Sequence, residues 1–158
     1  MKKIKYTLVA IAFGLVVSGC ASGDEEQTTY EKIVDDKVIT VATEGTYAPF
    51  SYYEDDKLVG YDVEIIEAVA QELGVEVKFV ETKWDGIIAG LDASKYDIVA
   101  NQVGITEERE EKYLFSTPYT YSQGVIIVPE DNTEITSFED LEGKKSAQTI
   151  TSNWAKIA

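Results

Sequence analysis

The sequence predicts an α/β fold: a parallel sheet flanked by helices. Three observations lead there. β-rich and helical segments alternate along residues 37–101 in the order β-α-β-α-β, which calls for crossovers between parallel strands. The stretch Ile98-Val99-Ala100 is apolar throughout, as in a strand covered on both faces. The 158 residues are 44% hydrophobic and 27% charged, a globular mix with enough apolar material for a packed core.

Taken in order, Lys37–Thr43 is β-rich and bounded by Glu44-Gly45, giving a first strand. Glu54-Asp55-Asp56-Lys57 is a turn between two short extended pieces, a hairpin. Asp62 is placed to cap a helix from Val63 to Leu73 that carries Val63, Ile66, Val69, Ala70 and Leu73 on one face. Gly74 is placed to end it. Val75–Glu81 alternates apolar and charged residues as a half-buried strand does. Trp84–Ala93 forms a second helix with Ile87, Ile88 and Leu91 inward, and Tyr96–Asn101 is the third strand. Thr106 caps a short acidic helix through Lys112.

Gly124–Pro129 is expected as a further apolar strand. Ser137–Asp140 has the spacing of a capped short helix closed by Gly143. Lys144–Gln148 reads as a strand, and Thr151-Ser152 as a helix start. One strand and one helical turn cannot bury a core of their own. The expected organisation is therefore a nearly complete first lobe at 37–120, a crossover at 121–124, and the start of a second lobe at 125–158. On this reading the chain is truncated.

The amino terminus reads as an address. Lys2, Lys3 and Lys5 precede the apolar run Tyr6–Val17, whose 12 residues would span roughly 18 Å as a helix. That falls short of the roughly 30 Å hydrocarbon core, so the run suits a secretory signal at 1–19 rather than a membrane span. Residues 20–36 are polar and acidic and read as a solvated tether.

Composition then excludes several chemistries. Fourteen basic against 29 acidic residues give a formal charge of −15, which repels phosphate backbones and argues against nucleic-acid binding. There is no His, which removes Ser-His-Asp triads and His-ligated metal sites. Cys20 is the single cysteine and Arg109 the single arginine. The acidic runs 54–56 and 107–111 lack the alternating pattern of a calcium loop. No catalytic residue, metal or cofactor is assigned, and a binder is favoured over an enzyme.

In open α/β sheets, ligands sit beyond the carboxyl ends of the strands. The loops there are Glu44–Phe50, Thr82–Gly86 and Asn101–Thr106, each offering a glycine, a hydrogen-bonding group or an aromatic.

Several segments share a vocabulary: Thr43–Phe50, Gly60–Glu64, Trp84–Leu91, Asp97–Thr106, Phe115–Tyr119 and Ser146–Asn153. Together they resemble the amino-acid-binding proteins of ABC importers, which have the type II periplasmic-binding fold. Asn101-Gln102-Val103 and Ser146-Ala147-Gln148 look most like the cystine-binding lipoproteins. Val17-Ser18-Gly19-Cys20 resembles the bacterial lipobox, which implies a lipid on Cys20 and an anchor to the outer face of the cytoplasmic membrane. The other reading of that segment is an ordinary signal with a coincidental cysteine.

The resemblance implies roles for individual residues, and each has a plainer reading beside it. Arg109 would grip a ligand carboxylate through paired hydrogen bonds; otherwise it is a surface arginine pairing with nearby glutamates. Tyr47 and Trp84 would wall the ligand side chain or belong to the core. Glu44 would receive an ammonium group or stand solvated in its loop. Asn101, Gln102 and Gly104 would meet the amino-acid head group, with Gly104 otherwise a turn. Thr151 and Ser152 would offer amides at a helix start, where plain capping is compatible. Gln148 completes the set. The implied protein is a monomeric receptor that closes two lobes on an L-amino acid, cystine above others, and delivers it to a permease and its ATPase. The alternatives are an enzyme on the same scaffold resembling cyclohexadienyl dehydratase, with Glu44 or Asp85 as acid or base, and a ligand-binding sensor domain.

Overall fold

The computed structural model describes residues 27–156. The signal segment, Cys20 and the first part of the expected tether lie outside the described residues. The remainder of that tether is a helix, α1 (Thr29–Asp36). Its start is a capping box: the Glu31 amide donates to the Thr28 hydroxyl at 3.2 Å, and the Glu31 carboxylate accepts from the Thr28 amide at 2.9 Å. Ile33 is buried against Ile39 and Ile66. The expectation of a tether reaching residue 36 is thereby corrected. Reciprocal capping and one buried isoleucine hold a segment that composition alone reads as solvated.

The main sheet joins β1 (Val38–Thr43), β5 (Glu76–Glu81) and β6 (Ile98–Val99) in the order β5-β1-β6, all parallel. Val41 sits level with Phe79 on one side and Ile98 on the other. Alternation along β1 feeds two cores. Ile39 and Val41 pack with Ile66 and Ala70 of α2 (Tyr61–Leu73), whereas Ala42 packs with Ile87 of α3 (Trp84–Asp92) and with Tyr96. Each fully buried Val or Ile contributes roughly 1.5–3 kcal/mol, so both faces of the sheet are held by apolar burial. The chain passes from β1 to β5 on one side and then to β6 on the other. The strand order therefore reverses between β1 and β6, where α/β sheets open a crevice.

A small antiparallel sheet of β2 (Thr46–Tyr47), β3 (Ser51–Glu54) and β4 (Lys57–Val59) follows β1. The expected hairpin turn is present, with Asp55 and Asp56 both in the left-handed region. The entry to α2 differs from expectation. Asp62 does not cap it: the helix starts at Tyr61, and Gly60 stands at the cap with φ 128° and no side-chain bond. The amides of Tyr61 and Asp62 instead donate to the carbonyls of Pro49 and Phe50, each at 3.0 Å. With those donors satisfied by backbone, the Asp62 carboxylate is released for another use. Val69, expected inward, is 45% exposed. Gly74 ends α2 in the left-handed conformation, its amide facing the carbonyls of Ala70 and Gln71.

Past β6, Thr106 caps α4 (Glu107–Glu110), which is shorter than the helix expected through Lys112. Neither Gly124–Pro129 nor Lys144–Gln148 is a strand. Both carry strand-like sequence, yet neither has a ladder partner among the described residues, and Val125 and Ile127 are largely exposed. Short 3-10 helices occupy Glu139–Leu141 and Asn153–Lys156. At the first of these the expected cap is inverted: the Asp140 carboxylate accepts from the amides of Thr136 and Ser137 at 2.8 and 3.0 Å.

Gly60 leaves no room for a side chain. A Cβ there falls inside contact distance of the Phe50 carbonyl, and the backbone angle disfavours any L side chain. Gly60→Ala is expected to lower unfolding stability by about 2 kcal/mol or more. A urea midpoint equal to that of the parent would refute this account of the α2 entry.

Candidate functional site

The crevice between β1 and β6 is organised by Asn101, which is 1% exposed. Its carboxamide oxygen accepts from the Thr43 hydroxyl at 3.1 Å, the Glu44 amide at 3.0 Å and the Ser51 hydroxyl at 3.3 Å. Its amide nitrogen donates to the Glu44 carboxylate at 2.8 Å. The other oxygen of that carboxylate accepts from the Trp84 backbone amide at 3.2 Å. Glu44 therefore supplies, from another loop, the capping acceptor that Lys83 cannot give, and adds its charge to that of Asp85 in the first turn of α3. Asn101 was expected at a head group; its side chain makes these four bonds within the fold. Its part is to aim Glu44.

Arg109 lies at the end of a second chain of contacts. The Thr106 hydroxyl accepts from the Arg109 amide at 3.3 Å and fixes the turn. One guanidinium nitrogen donates to the Gly104 carbonyl at 2.8 Å, and the other to the Thr151 carbonyl at 3.3 Å. The guanidinium carbon stands 5.8 Å from the Trp84 ring centroid, within cation–π range. Burial lowers the guanidinium below its ordinary value. It stays charged all the same. The reading of Arg109 as a surface residue pairing with neighbouring glutamates finds no ion pair among the described residues. Thr151 makes a second bond to the first lobe, from its hydroxyl to Asp85 at 3.0 Å.

Trp84 is the meeting point of the two chains. Its amide is held by Glu44, its ring lies beneath Arg109, and its buried indole nitrogen has no acceptor among the described residues. Tyr47 is 42% exposed on β2 and packs on Phe50 at 5.1 Å. The Ser152 hydroxyl accepts from the Trp154 amide at 3.2 Å, a local cap. Gln148 is exposed and makes no hydrogen bond to the cluster among the described residues. A cavity of about 670 Å³ runs along the free edge of β6. Asn101, Gln102, Gly104 and Arg109 line its polar end and Ile88 and Leu91 its apolar part. Glu44, Tyr47, Trp84 and Thr151 lie outside its wall.

Gln102 adopts a left-handed backbone, φ 50°. Its amide and its side-chain nitrogen both donate to Asp62, at 2.9 and 2.5 Å. The Tyr119 hydroxyl donates to the same carboxylate at 3.2 Å. Burial holds the Asp62 carboxyl above the ordinary aspartate range, opposed by these hydrogen bonds. Burial and the Asp62 charge push the Tyr119 hydroxyl up. Asp62 is the site neighbour that sequence reasoning missed. The signal for it was faint: a carboxylate two positions past the cap.

The model for bacterial extracellular solute-binding proteins, family 3, matches residues 39–156. The protein belongs to that family. This solute-binding protein is 46% identical to a Haemophilus influenzae protein named "Probable amino-acid ABC transporter-binding protein", over all of this chain and 61% of that one. It is 44% identical to the L-cystine-binding protein TcyA of Bacillus subtilis, over all of this chain and 62% of that one. The L-cystine solute receptor of Neisseria gonorrhoeae, in its unliganded open form, matches with 47% identity and a TM-score of 0.56. That match covers 80% of this chain and 54% of the receptor. An ancestral amino-acid-binding protein, described as a precursor of cyclohexadienyl dehydratase, matches with 42% identity and a TM-score of 0.67, over 72% of this chain and 51% of that one. The chain thus spans about three fifths of the curated relatives it matches. The α/β fold is that of the periplasmic solute-binding proteins, with the parallel sheet as part of a first lobe.

The Asn101–Glu44 bond gives a pH-dependent test. Asn101→Asp sets two carboxylates against each other in a mostly buried place, and is expected to cost about 3 kcal/mol near neutral pH. One carboxyl of the pair then titrates above its unfolded value, so the native state binds more protons than the unfolded one. The deficit should shrink as pH falls from about 7 to about 5, when one carboxyl becomes a donor to the other. Urea titrations of variant and parent at both values check this, and a constant deficit would contradict it.

Proposed function

We propose that this solute-binding protein is the substrate-binding component of an amino-acid ABC importer. Its ligand on this reading is an L-amino acid, with L-cystine favoured. The observation that carries the reading is the pair of opposite charges arranged about Trp84. The Arg109 guanidinium lies over the ring, and the Glu44 carboxylate is held at the backbone amide. An α-amino acid is a zwitterion, and a cation and an anion fixed on one crevice edge complement it. Tyr47 and the Trp84 face then offer apolar surface to the side chain. On this reading Gln102 and Gly104 would offer backbone groups, and Gln148, Thr151 and Ser152 would contribute from the carboxyl-terminal segment.

The choice of cystine is supported by the names of two relatives, at 44% and 47% identity. Domain closure at residues 121–124, delivery to a permease with its ATPase, and a monomeric state belong to the same proposal. So does anchoring through a lipid on Cys20 at the outer face of the cytoplasmic membrane. We read the protein as a binder rather than an enzyme. Glu44 and Asp85, the carboxylates an enzyme would use, both accept hydrogen bonds that build the site.

Arg109→Lys removes the planar fork while keeping the charge. In the full-length protein it is expected to weaken L-cystine binding at least tenfold, about 1.4 kcal/mol by calorimetry. An unchanged affinity would sink the role of Arg109. Cys20→Ala is expected to release the protein from membranes. If the variant still pellets with membranes after a carbonate wash, the anchor is wrong.

A further inference from the structure

Asp62 lies in the first turn of α2, 1% exposed, and has no basic partner among the described residues. A buried carboxylate persists only where donors and dipoles replace water. Its position at the amino-terminal end of a 13-residue helix supplies part of that field. The rest comes from Gln102 and Tyr119.

Two of its three donors belong to Gln102, the residue whose backbone is left-handed. A side chain at that angle is costly and needs something to hold it. The two bonds from Gln102 do so, one from its backbone and one from its side chain. Two residues later the same loop presents the Gly104 carbonyl to Arg109 at 2.8 Å. The third donor, the Tyr119 hydroxyl, comes from the segment that leads into residues 121–124. That segment is tied back twice more. The Tyr61 hydroxyl donates to the Tyr119 carbonyl at 3.1 Å, and the Gln102 side chain reaches the Thr120 hydroxyl at 3.4 Å. The rings of Tyr61 and Tyr119 lie 6.0 Å apart.

We infer that Asp62 is a positioning residue that locks the Gln102-Val103-Gly104 loop to the Tyr119-Thr120 segment, so that the grip on an amino-acid head group and the path between lobes are set together. This rests on the amino-acid-binding reading above. It gives Asp62 a part without contact to the ligand, exerted through Gln102 and Tyr119.

The test compares the full-length parent with Asp62→Asn, Tyr119→Phe and the pair Asp62→Asn with Gln102→Asn. Three readouts are used: amide hydrogen exchange, thermal midpoint, and L-cystine affinity by calorimetry. In Asp62→Asn, exchange at 102–104 and 119–120 should rise at least tenfold while β1 and β5 keep their protection. Affinity should fall at least tenfold. Adding Gln102→Asn should recover part of that loss, because Asn enters the left-handed region more readily than Gln. Tyr119→Phe, which removes only a hydroxyl, should raise exchange at 102–104 even if Asp62→Asn fails to fold.

Exchange that rises equally throughout the sheet, or a silent Tyr119→Phe, would reduce Asp62 to a stability residue and overturn the inference. A parent that binds L-cystine beside an Asp62→Asn variant of equal affinity would also overturn it, with the proposed function left standing. A parent that takes up neither L-cystine nor any other amino acid would remove the proposed function. The exchange pattern would then decide on the coupling of the two segments by itself.

Discussion

The Asn101 carboxamide sits where β1 and β6 leave the sheet, and the crevice depends on it. Three donors converge on its oxygen, from the end of β1, the Glu44 backbone and β3. A buried hydrogen bond adds only about 0.5–1.5 kcal/mol net, but each partner left without one costs about 1–3 kcal/mol. The arrangement is therefore held less by the strength of any bond than by the cost of breaking it. Its consequences run outward. Asn101 orients Glu44, Glu44 holds the start of α3, and α3 begins with the tryptophan that lies under Arg109. The cation is thus located by a relay that starts in the sheet register.

A second relay meets the same loop from the opposite side. β6 is followed by Asn101 and Gln102, adjacent residues whose side chains serve different partners. Asn101 points to β1 and the hairpin, whereas Gln102 reaches Asp62 on α2 and Thr120 beyond. The left-handed backbone at Gln102 separates the two directions. Buried polar networks of this kind specify geometry when every member is satisfied.

Much of the fold was legible because it follows from local pattern. The alternation of β5, the apolar run of β6, the Asp55-Asp56 turn, the Gly74 terminus and the Thr106 cap each need only a few neighbouring residues. What failed required a partner elsewhere in the chain. Gly124–Pro129 has strand composition, but a strand is a pairing, and none is offered among the described residues. α1 was hidden because its apolar contribution is mainly Ile33, whose value depends on β1 and α2 lying beneath it. Asp62 misled because a carboxylate near a helix start suits a cap, and only the Pro49 and Phe50 carbonyls show the cap to be unnecessary. In the site, residue types were legible and partnerships were not. Glu44 stood out in a loop at a strand end and Arg109 only through the family resemblance, whereas the engagement of the Asn101 side chain within the fold had no local sign.

The geometry of Arg109 bears on how a carboxylate would be captured on the proposed reading. Its two carbonyl partners are unequal: the Gly104 bond is short and lies within the loop, and the Thr151 bond is long and comes from the carboxyl-terminal segment. A carboxylate is a stronger acceptor than a neutral carbonyl, since charge-assisted bonds are roughly twice as strong. Competition would therefore fall on the Thr151 side, while Gly104 keeps the guanidinium aimed. Thr151 is also joined to Asp85 through its hydroxyl. A ligand that takes over the guanidinium could thus leave the two segments connected. Ligand-driven closure requires contacts that favour the closed form over the open one. A residue already bridging both sides beside the carboxylate's own partner is where such a difference can arise.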